Sequence, residues 1–252
     1  MRTGTPLSFA GIENFRDFGG FVGQHGRVRE GFLFRSGHHA NATDEDLASL
    51  SDLSLATIAD LRRPAERADQ PSRRPPDFRG AVLVSDLGDR AKGPHREFLE
   101  QGDLSDAAIM RYLFAFYRAA PFDLAHRELF AGAFVALRNG PLLIHCTQGK
   151  DRTGLLAALI QHALGAHPDT IREEFLQTNQ AMLTQERIAH VTAGLAMTGH
   201  AASPVAIRAL LGVGADHLEA SFDAIRDEVG SLDAYLDRLG VHHPELLMSA
   251  YA

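Results

Sequence analysis

The feature that most constrains this chain is an apolar run that stops at a short polar loop and is followed by a longer apolar run. Residues 142–144 (LLI) are apolar, and the run ends at His145 and Cys146. A polar loop occupies residues 147–151, and residues 155–164 (LLAALIQHAL) are again mostly apolar. The first run has the length of a buried strand, whereas the second is too long for a strand and predicts a helix. The sequence therefore places Cys146 between a strand and the start of a helix.

A cysteine in this position, with Arg152 six residues later, predicts a nucleophile inside a phosphate-binding loop. A helix N-terminus and a nearby arginine favour the thiolate form of a cysteine. The N–H groups of a short loop that enters a helix bind phosphate oxygens, and a planar guanidinium holds two of them. We therefore expect Cys146 to be the nucleophile and Thr153 to donate a hydrogen bond to its sulfur. The predicted phosphate-binding residues are Thr147, Gln148, Gly149, Lys150, Asp151 and Arg152.

Two other interpretations of this segment are weaker. A lone cysteine is most often a small buried hydrophobic residue, but the polar loop and the arginine after it favour a chemical role. The pair Gly149-Lys150 also suggests a Walker A loop. That motif needs a glycine five residues before Gly149, where this chain has Ile144, and a serine or threonine after the lysine, where Asp151 stands.

Composition excludes several classes of protein. The formal net charge of −7 argues against a general nucleic-acid binder, which needs a basic surface. A single cysteine cannot form an intrachain disulfide and favours a reducing compartment, so we expect a cytoplasmic protein. The N-terminal residues lack the apolar core of a signal peptide, and no apolar run has the length of a membrane span. The 13 histidines show no metal-ligand spacing, so we predict no metal and no cofactor.

The remaining sequence predicts an α/β fold. We expect strands at residues 21–22, 28–34, 55–61 and 81–84, and helices at 44–50, 103–119, 121–138, 169–183, 184–196, 204–211, 215–229 and 231–239. Residues 64–80 carry four prolines and four arginines and are predicted to be loop, as are residues 86–102. This order predicts one domain over residues 1–252, with a mainly parallel sheet flanked by helices and a helical C-terminal portion.

The segment HCTQGKDRTG, residues 145–154, resembles the phosphate loop of the cysteine-dependent protein tyrosine phosphatases, and in particular an atypical bacterial group. The segments NFRDFGG, LFRSG, IADLR with PAER, and GSLDAYL also resemble parts of that family. The resemblance implies a metal-independent hydrolase of phosphotyrosine, and of phosphoserine or phosphothreonine, through a phosphocysteine intermediate. Some members of the group act on phosphoinositides, which is the alternative substrate class. Gln148 departs from the alanine frequent in the family and affects the expected substrate preference.

The general acid is not determined by the resemblance. Many cysteine phosphatases carry it about thirty residues before the nucleophile, where this chain has YLFAFYR and no carboxylate. Asp151 is therefore the first candidate, and this arrangement resembles that of myotubularin-like phosphatases. Asp60 is the second, because it ends a predicted strand and would lie at the same sheet edge as Cys146; an arginine-pairing role is equally expected for it. Asp86 and Asp123 are weaker candidates, expected in a solvated loop and at a helix start.

Three further expectations follow. Lys150 is one of only two lysines among 25 basic residues, and we expect its ammonium to add positive charge beside the phosphate. Arg16 and Asp17 could buttress the loop, although a structural turn is the commoner role for such residues. A helical lid over the pocket is expected within residues 169–200.

Two hypotheses from other classes stay open on sequence alone. A non-catalytic phosphate-binding module would keep the loop and lose the nucleophile or the acid, yet candidates for both are present. A sulfur-transfer or arsenate-reducing enzyme could also use a cysteine loop. Arsenate reduction usually needs further cysteines, and this chain has none.

Overall fold

A computed structural model describes residues 8–24, 26–87, 97–99, 102–197 and 200–242. Within these residues the main sheet has the strand order β1-β4-β7-β5-β6. Its strands are β1 Arg16–Asp17, β4 Leu33–Ser36, β5 Thr57–Asp60, β6 Ala81–Leu83 and β7 Leu142–His145. Neighbouring strands are parallel except β1, which runs antiparallel to β4. A separate short hairpin joins β2 Val22–Gly23 to β3 Gly26–Arg27. The predicted α/β class with a mainly parallel sheet is confirmed.

Strand β7 forms the centre of the sheet and is fully buried. A strand between two parallel neighbours is covered on both faces, which explains its continuous apolar sequence. His145 is in register with Ser36 on one side and with Asp60 on the other. The carboxyl ends of three parallel strands therefore meet immediately before Cys146.

Helices cover the sheet and make up most of the second half of the chain. Their bounds are α1 Asp44–Asp52, α2 Pro64–Asp69, α3 Asp106–Ala119, α4 Leu124–Ala136, α5 Asp151–Ala163, α6 Pro168–Met182, α7 Gln185–Met197, α8 Pro204–Leu211, α9 Ala215–Val229 and α10 Leu232–Arg238. Helix α5 begins directly after the polar loop, and nearly every one of its residues is buried. None of the helices among the described residues is both long and apolar enough to cross a membrane.

The structure corrects two of the predicted elements near the site. Residues 64–69, predicted to be loop, form helix α2. Pro64 is tolerated there because the first helical position needs no N–H donor, and Glu66 accepts a hydrogen bond from the N–H of Arg63 at 2.8 Å. Pro121 does not begin a long helix: it lies in a 3₁₀ turn, and α4 begins after the cap residue Asp123.

Strand β4 is also displaced from its predicted position. It was expected at residues 28–34 and is found at Leu33–Ser36. Arg35 and Ser36, expected to close the strand, lie inside it and are fully buried. An arginine inside a buried strand is a poor strand signal, but Arg35 is paired there with Glu174. Of the predicted loop 86–102, residues 97–99 are helical, and residues 88–96, 100 and 101 lie outside the described part of the chain.

Candidate active site

The loop between β7 and α5 has its carbonyl groups held by surrounding residues. The Thr147 carbonyl accepts from the N–H of His38 at 3.0 Å. Asn14 Nδ2 donates to the carbonyls of Gln148 and Gly149, at 3.2 and 2.9 Å. In a trans peptide unit the C=O and the following N–H point in opposite directions. Holding these carbonyls on one side therefore turns the following N–H groups to the other side of the loop, where an anion could bind.

Gly149 makes this tight loop possible. Its φ of +65° is in the left-handed region, and a Cβ atom built at this position would lie 2.3 Å from the carbonyl oxygen of Ser36. Any other residue would strain the backbone and collide with β4. The loop is thereby seated directly against the neighbouring strand.

Arg152 is oriented by a two-pronged ion pair with Glu66 of α2. Nη1 lies 2.6 Å from Glu66 Oε2 and Nη2 lies 2.7 Å from Oε1. Nη1 also donates to the carbonyl of Leu61 at 3.0 Å, and Thr147 Oγ1 donates to Glu66 Oε1. Burial opposes ionisation of both partners, yet the pair holds the pKa of Glu66 well below its usual range and raises that of Arg152. Glu66 therefore contacts the two terminal nitrogens of the guanidinium.

A buried cluster of two arginines and one glutamate supports the loop from behind. Glu174 of α6 accepts from Arg16 Nε at 2.8 Å and from Arg35 Nη1 at 2.7 Å. Arg35 Nη2 in turn donates to the carbonyl of Gly149 at 2.7 Å. Burial alone would raise the pKa of Glu174, but the two guanidinium groups lower it. Arg35 is therefore buried in β4 because it connects α6 to the phosphate loop.

Arg16 takes part in this support indirectly. It contacts Glu174 and also Asn14, which bonds to the loop carbonyls. Asp17 instead accepts hydrogen bonds from the N–H groups of Gly19 and Gly31, and so holds the turn around it.

Asp151 is the first residue of α5 and lies among polar groups inside the fold. Its Oδ1 accepts from the hydroxyl of Tyr117 at 2.5 Å, and its Oδ2 lies 3.5 Å from Lys150 Nζ. Lys150 is buried, and Nζ donates to the carbonyl of Leu210 at 2.6 Å. The structure therefore brings the predicted acid and lysine together beside the loop, whereas contact between Lys150 and a phosphate remains a prediction.

Asp60 lies at the expected sheet edge, but its carboxylate is fully engaged by Arg62. Oδ1 accepts from Arg62 Nε at 2.8 Å and Oδ2 from Nη2 at 2.7 Å, and the side chain is buried. Although burial opposes ionisation, the ion pair with Arg62 helps to lower the pKa of Asp60. A carboxylate held in this way is poorly suited to carry a proton to a leaving group, and the arginine-pairing role fits the geometry better.

His145 is buried behind the loop and stacks on His39 with the ring centroids 4.5 Å apart. Burial lowers the pKa of His145 to about 4, so its ring is neutral at pH 7. Thr153 is also fully buried, and within the described part of the chain its hydroxyl has no hydrogen-bond partner. Its predicted bond to the Cys146 sulfur therefore stays a prediction.

The weaker carboxylate candidates take the expected structural roles. The Asp86 side chain is 85% exposed and pairs with Arg67. Asp123 caps α4 by accepting from the N–H of His126 at 3.0 Å.

Gln148 and Thr147 line a cavity of about 670 Å³ beside the loop. Helix α7 forms part of its wall through Arg187, His190 and Val191. Of the predicted lid range, α6 supplies the buried Glu174 and is part of the loop support, while α7 buries none of its residues. A lid role for α7 stays a prediction. In the part of the chain that the structure covers, no cluster of three or more His, Cys, Asp or Glu side chains is arranged to hold a metal ion.

Five residues of the site were not assigned a role from the sequence: Asn14, Arg35, Glu66, Tyr117 and Glu174. Glu66 and Arg35 lie in the segments PAER and LFRSG, whose resemblance to a family was a usable signal. Glu174 and Tyr117 lie in amphipathic helices, where polar residues in the buried face were the only sign.

The fold, the cysteine between strand and helix, and the arginine that follows it together define a phosphatase-like site. A family model described as "Tyrosine phosphatase family" matches residues 7–247. The chain therefore belongs to the tyrosine phosphatase family.

Two relatives cover most of the chain. A protein of Cupriavidus necator named "Putative tyrosine-protein phosphatase" is 34% identical over 242 residues, which span 91% of this chain and 82% of the relative. The "Triple specificity protein phosphatase PtpB" of Mycobacterium tuberculosis is 30% identical over 258 residues, which span 92% of each chain.

Proposed function

We propose that the protein is a cysteine-dependent phosphomonoester hydrolase that acts on phosphotyrosine, and also on phosphoserine or phosphothreonine, in proteins. The observation that carries this proposal is the position of Cys146: a buried free thiol at the end of the central strand. It is followed by a loop whose carbonyls are bonded to the surrounding residues and by Arg152, which Glu66 orients. The name of the Mycobacterium tuberculosis relative agrees with more than one phosphoresidue as substrate.

The reaction has two steps. The Cys146 thiolate attacks phosphorus, forms a sulfur–phosphorus bond and breaks the bond to the ester oxygen. The loop N–H groups and the Nε side of Arg152 stabilise the equatorial oxygens, which carry most of the charge in the transition state. Water then attacks the phosphocysteine and releases phosphate and the thiolate. None of these steps requires a metal ion, and we propose that activity persists in EDTA.

Asp151 is the proposed general acid. Its carboxyl group lies in the loop region itself, next to Arg152 in the chain, whereas the Asp60 carboxylate is held on both oxygens by Arg62. After it has given its proton to the leaving oxygen, the Asp151 carboxylate can accept a proton from the attacking water in the second step.

A turnover assay tests the proposal. We expect freshly reduced wild type to hydrolyse an aryl phosphate in EDTA, and Cys146→Ser to lose this activity while it still binds phosphate. Absence of turnover by the wild type would rule out the enzyme. Retained phosphate binding in that case would instead favour a non-catalytic phosphate-binding module.

The acid is tested by pH profiles of kcat/KM. Loss of the basic limb in Asp151→Asn but not in Asp60→Asn is the expected outcome. An unchanged limb in Asp151→Asn would overturn the assignment.

The substrate class is tested by a panel of phosphopeptides and phosphoinositides compared by kcat/KM. We expect phosphotyrosine peptides to rank first; a higher value for a phosphoinositide would assign the enzyme to lipid substrates.

The free thiol also supports a reducing compartment, and on that ground we propose that the protein is cytoplasmic.

A further inference from the structure

We propose that Tyr117 is a positioning residue that fixes the carboxyl group of the proposed acid Asp151 through its hydroxyl. This inference rests on the proposed function. The hydroxyl donates to Asp151 Oδ1 at 2.5 Å, and both side chains are buried.

Tyr117 is itself held by contacts on several sides. Its ring stacks on that of His217 at a centroid distance of 5.1 Å and meets Phe175 edge-on at 6.2 Å. Its backbone carbonyl accepts from Ser221 Oγ at 2.7 Å. The hydroxyl is thus placed by α3, α6 and α9 together and has little freedom to follow a moving carboxylate.

The direction of the hydrogen bond follows from the environment of the phenol. Burial, together with the nearby Asp151 carboxylate, raises the pKa of Tyr117. The phenol therefore keeps its proton and donates it to Asp151. A donor of this kind stabilises the carboxylate relative to the acid.

Other charged and titratable groups also contribute to the electrostatic potential at the Asp151 carboxyl group. They are Lys150 and Arg152 on either side of it in the chain, Tyr112 on α3, and His217 on α9. The Tyr117 hydroxyl donates a hydrogen bond to the carboxylate, and removing it leaves these other groups in place.

In the proposed step the proton of the Asp151 carboxyl group moves to the ester oxygen while the bond from phosphorus to that oxygen breaks and the sulfur–phosphorus bond forms. Oδ1 keeps its hydrogen bond throughout, so the new negative charge on Asp151 is stabilised as it develops. The same contact keeps the carboxylate in place for the water that attacks in the second step.

The experiment compares Tyr117→Phe with wild type. Loss of the donor favours the protonated carboxyl group, so the basic limb of the kcat/KM profile should move to higher pH by about one unit. The kcat for phenyl phosphate should fall about tenfold more than that for p-nitrophenyl phosphate, because the poorer leaving group depends more on the acid. KM should change little.

Tyr235→Phe is the matched control. Tyr235 is also buried, and its hydroxyl donates to the carbonyl of Pro121 at 2.5 Å, away from the loop. It should leave the limb and the leaving-group dependence unchanged. Equal shifts in both variants would overturn the proposal.

Two further measurements separate the outcomes. In an Asp151→Asn background, Tyr117→Phe should have no additional effect on kcat; a full additional effect would contradict the positioning role. If the pH profile of Asp151→Asn keeps its basic limb, the assignment of Asp151 as the acid is wrong, independently of the result for Tyr117→Phe. If Tyr117→Phe does not fold, 3-fluorotyrosine at position 117 replaces it: a more acidic donor should move the limb to lower pH, and an unmoved limb would refute the inference.

Discussion

Replacing Glu174 with glutamine should destabilise the protein strongly, although the change removes no volume. Glu174 is buried with Arg16 at 2.8 Å and Arg35 at 2.7 Å from its two carboxylate oxygens. The substitution leaves two buried guanidinium groups without a neutralising charge. Removing one member of a buried ion cluster costs about 3–5 kcal/mol. In a chain of this size, a loss of that magnitude lowers Tm by roughly 6 °C or more.

The assay is urea unfolding at pH 7, followed by circular dichroism. Glu173→Gln is the matched control, because Glu173 is the adjacent residue of the same helix and is exposed. Its free energy of unfolding should lie within about 0.5 kcal/mol of wild type. If the free energy of unfolding of Glu174→Gln lies within about 1 kcal/mol of that of the control, the buried ion cluster does not stabilise the fold.

Three other predictions concern the loop. Glu66→Gln should lower kcat/KM by about tenfold or more, because Arg152 loses the charged partner of its two-pronged ion pair. A kcat/KM equal to that of wild type would mean that Arg152 is oriented without Glu66. In Gly149→Ala, phosphate should no longer protect the protein against thermal unfolding, because the new Cβ would collide with the carbonyl of Ser36. Gly194→Ala is the control: its Cβ would lie in open space, and phosphate should still protect this variant. The difference in unfolding free energy between wild type and Glu66→Gln should be fully present above about pH 4.5 and should shrink as the pH falls. The reason is that the folded-state pKa of Glu66 lies below its unfolded value. A difference that grows in acid would contradict the ion pair.

The sequence predicts the central unit of the site well because the signals there are local. The apolar run of β7, the polar loop and the long apolar helix α5 each have a length and a pattern that their own residues determine. The parallel arrangement also follows, since strands separated by helices pair in this way. Asp60 illustrates the limit: the pattern puts it at the correct sheet edge but cannot tell that Arg62, two residues later, folds back onto both of its oxygens.

The support of the loop could not be predicted, because it depends on contacts between residues far apart in the chain. Arg35 and Glu174 are separated by 139 positions and meet only in the folded protein. Their charges argue against burial when each is considered alone, and their mutual neutralisation makes it possible. Helix α2 was not predicted because residues 64–80 contain four prolines and four arginines, a composition typical of a loop. The six-residue helix inside this segment is too short to give a helical pattern of its own.

The most direct test of the account is to identify the residue that carries phosphate during turnover. Wild type should be mixed with a radiolabelled aryl phosphate, quenched under denaturing conditions and digested. We predict label on the peptide that contains Cys146, and none on that peptide in Cys146→Ser. Turnover without any labelled peptide, or label on a different residue, would contradict the central role of Cys146.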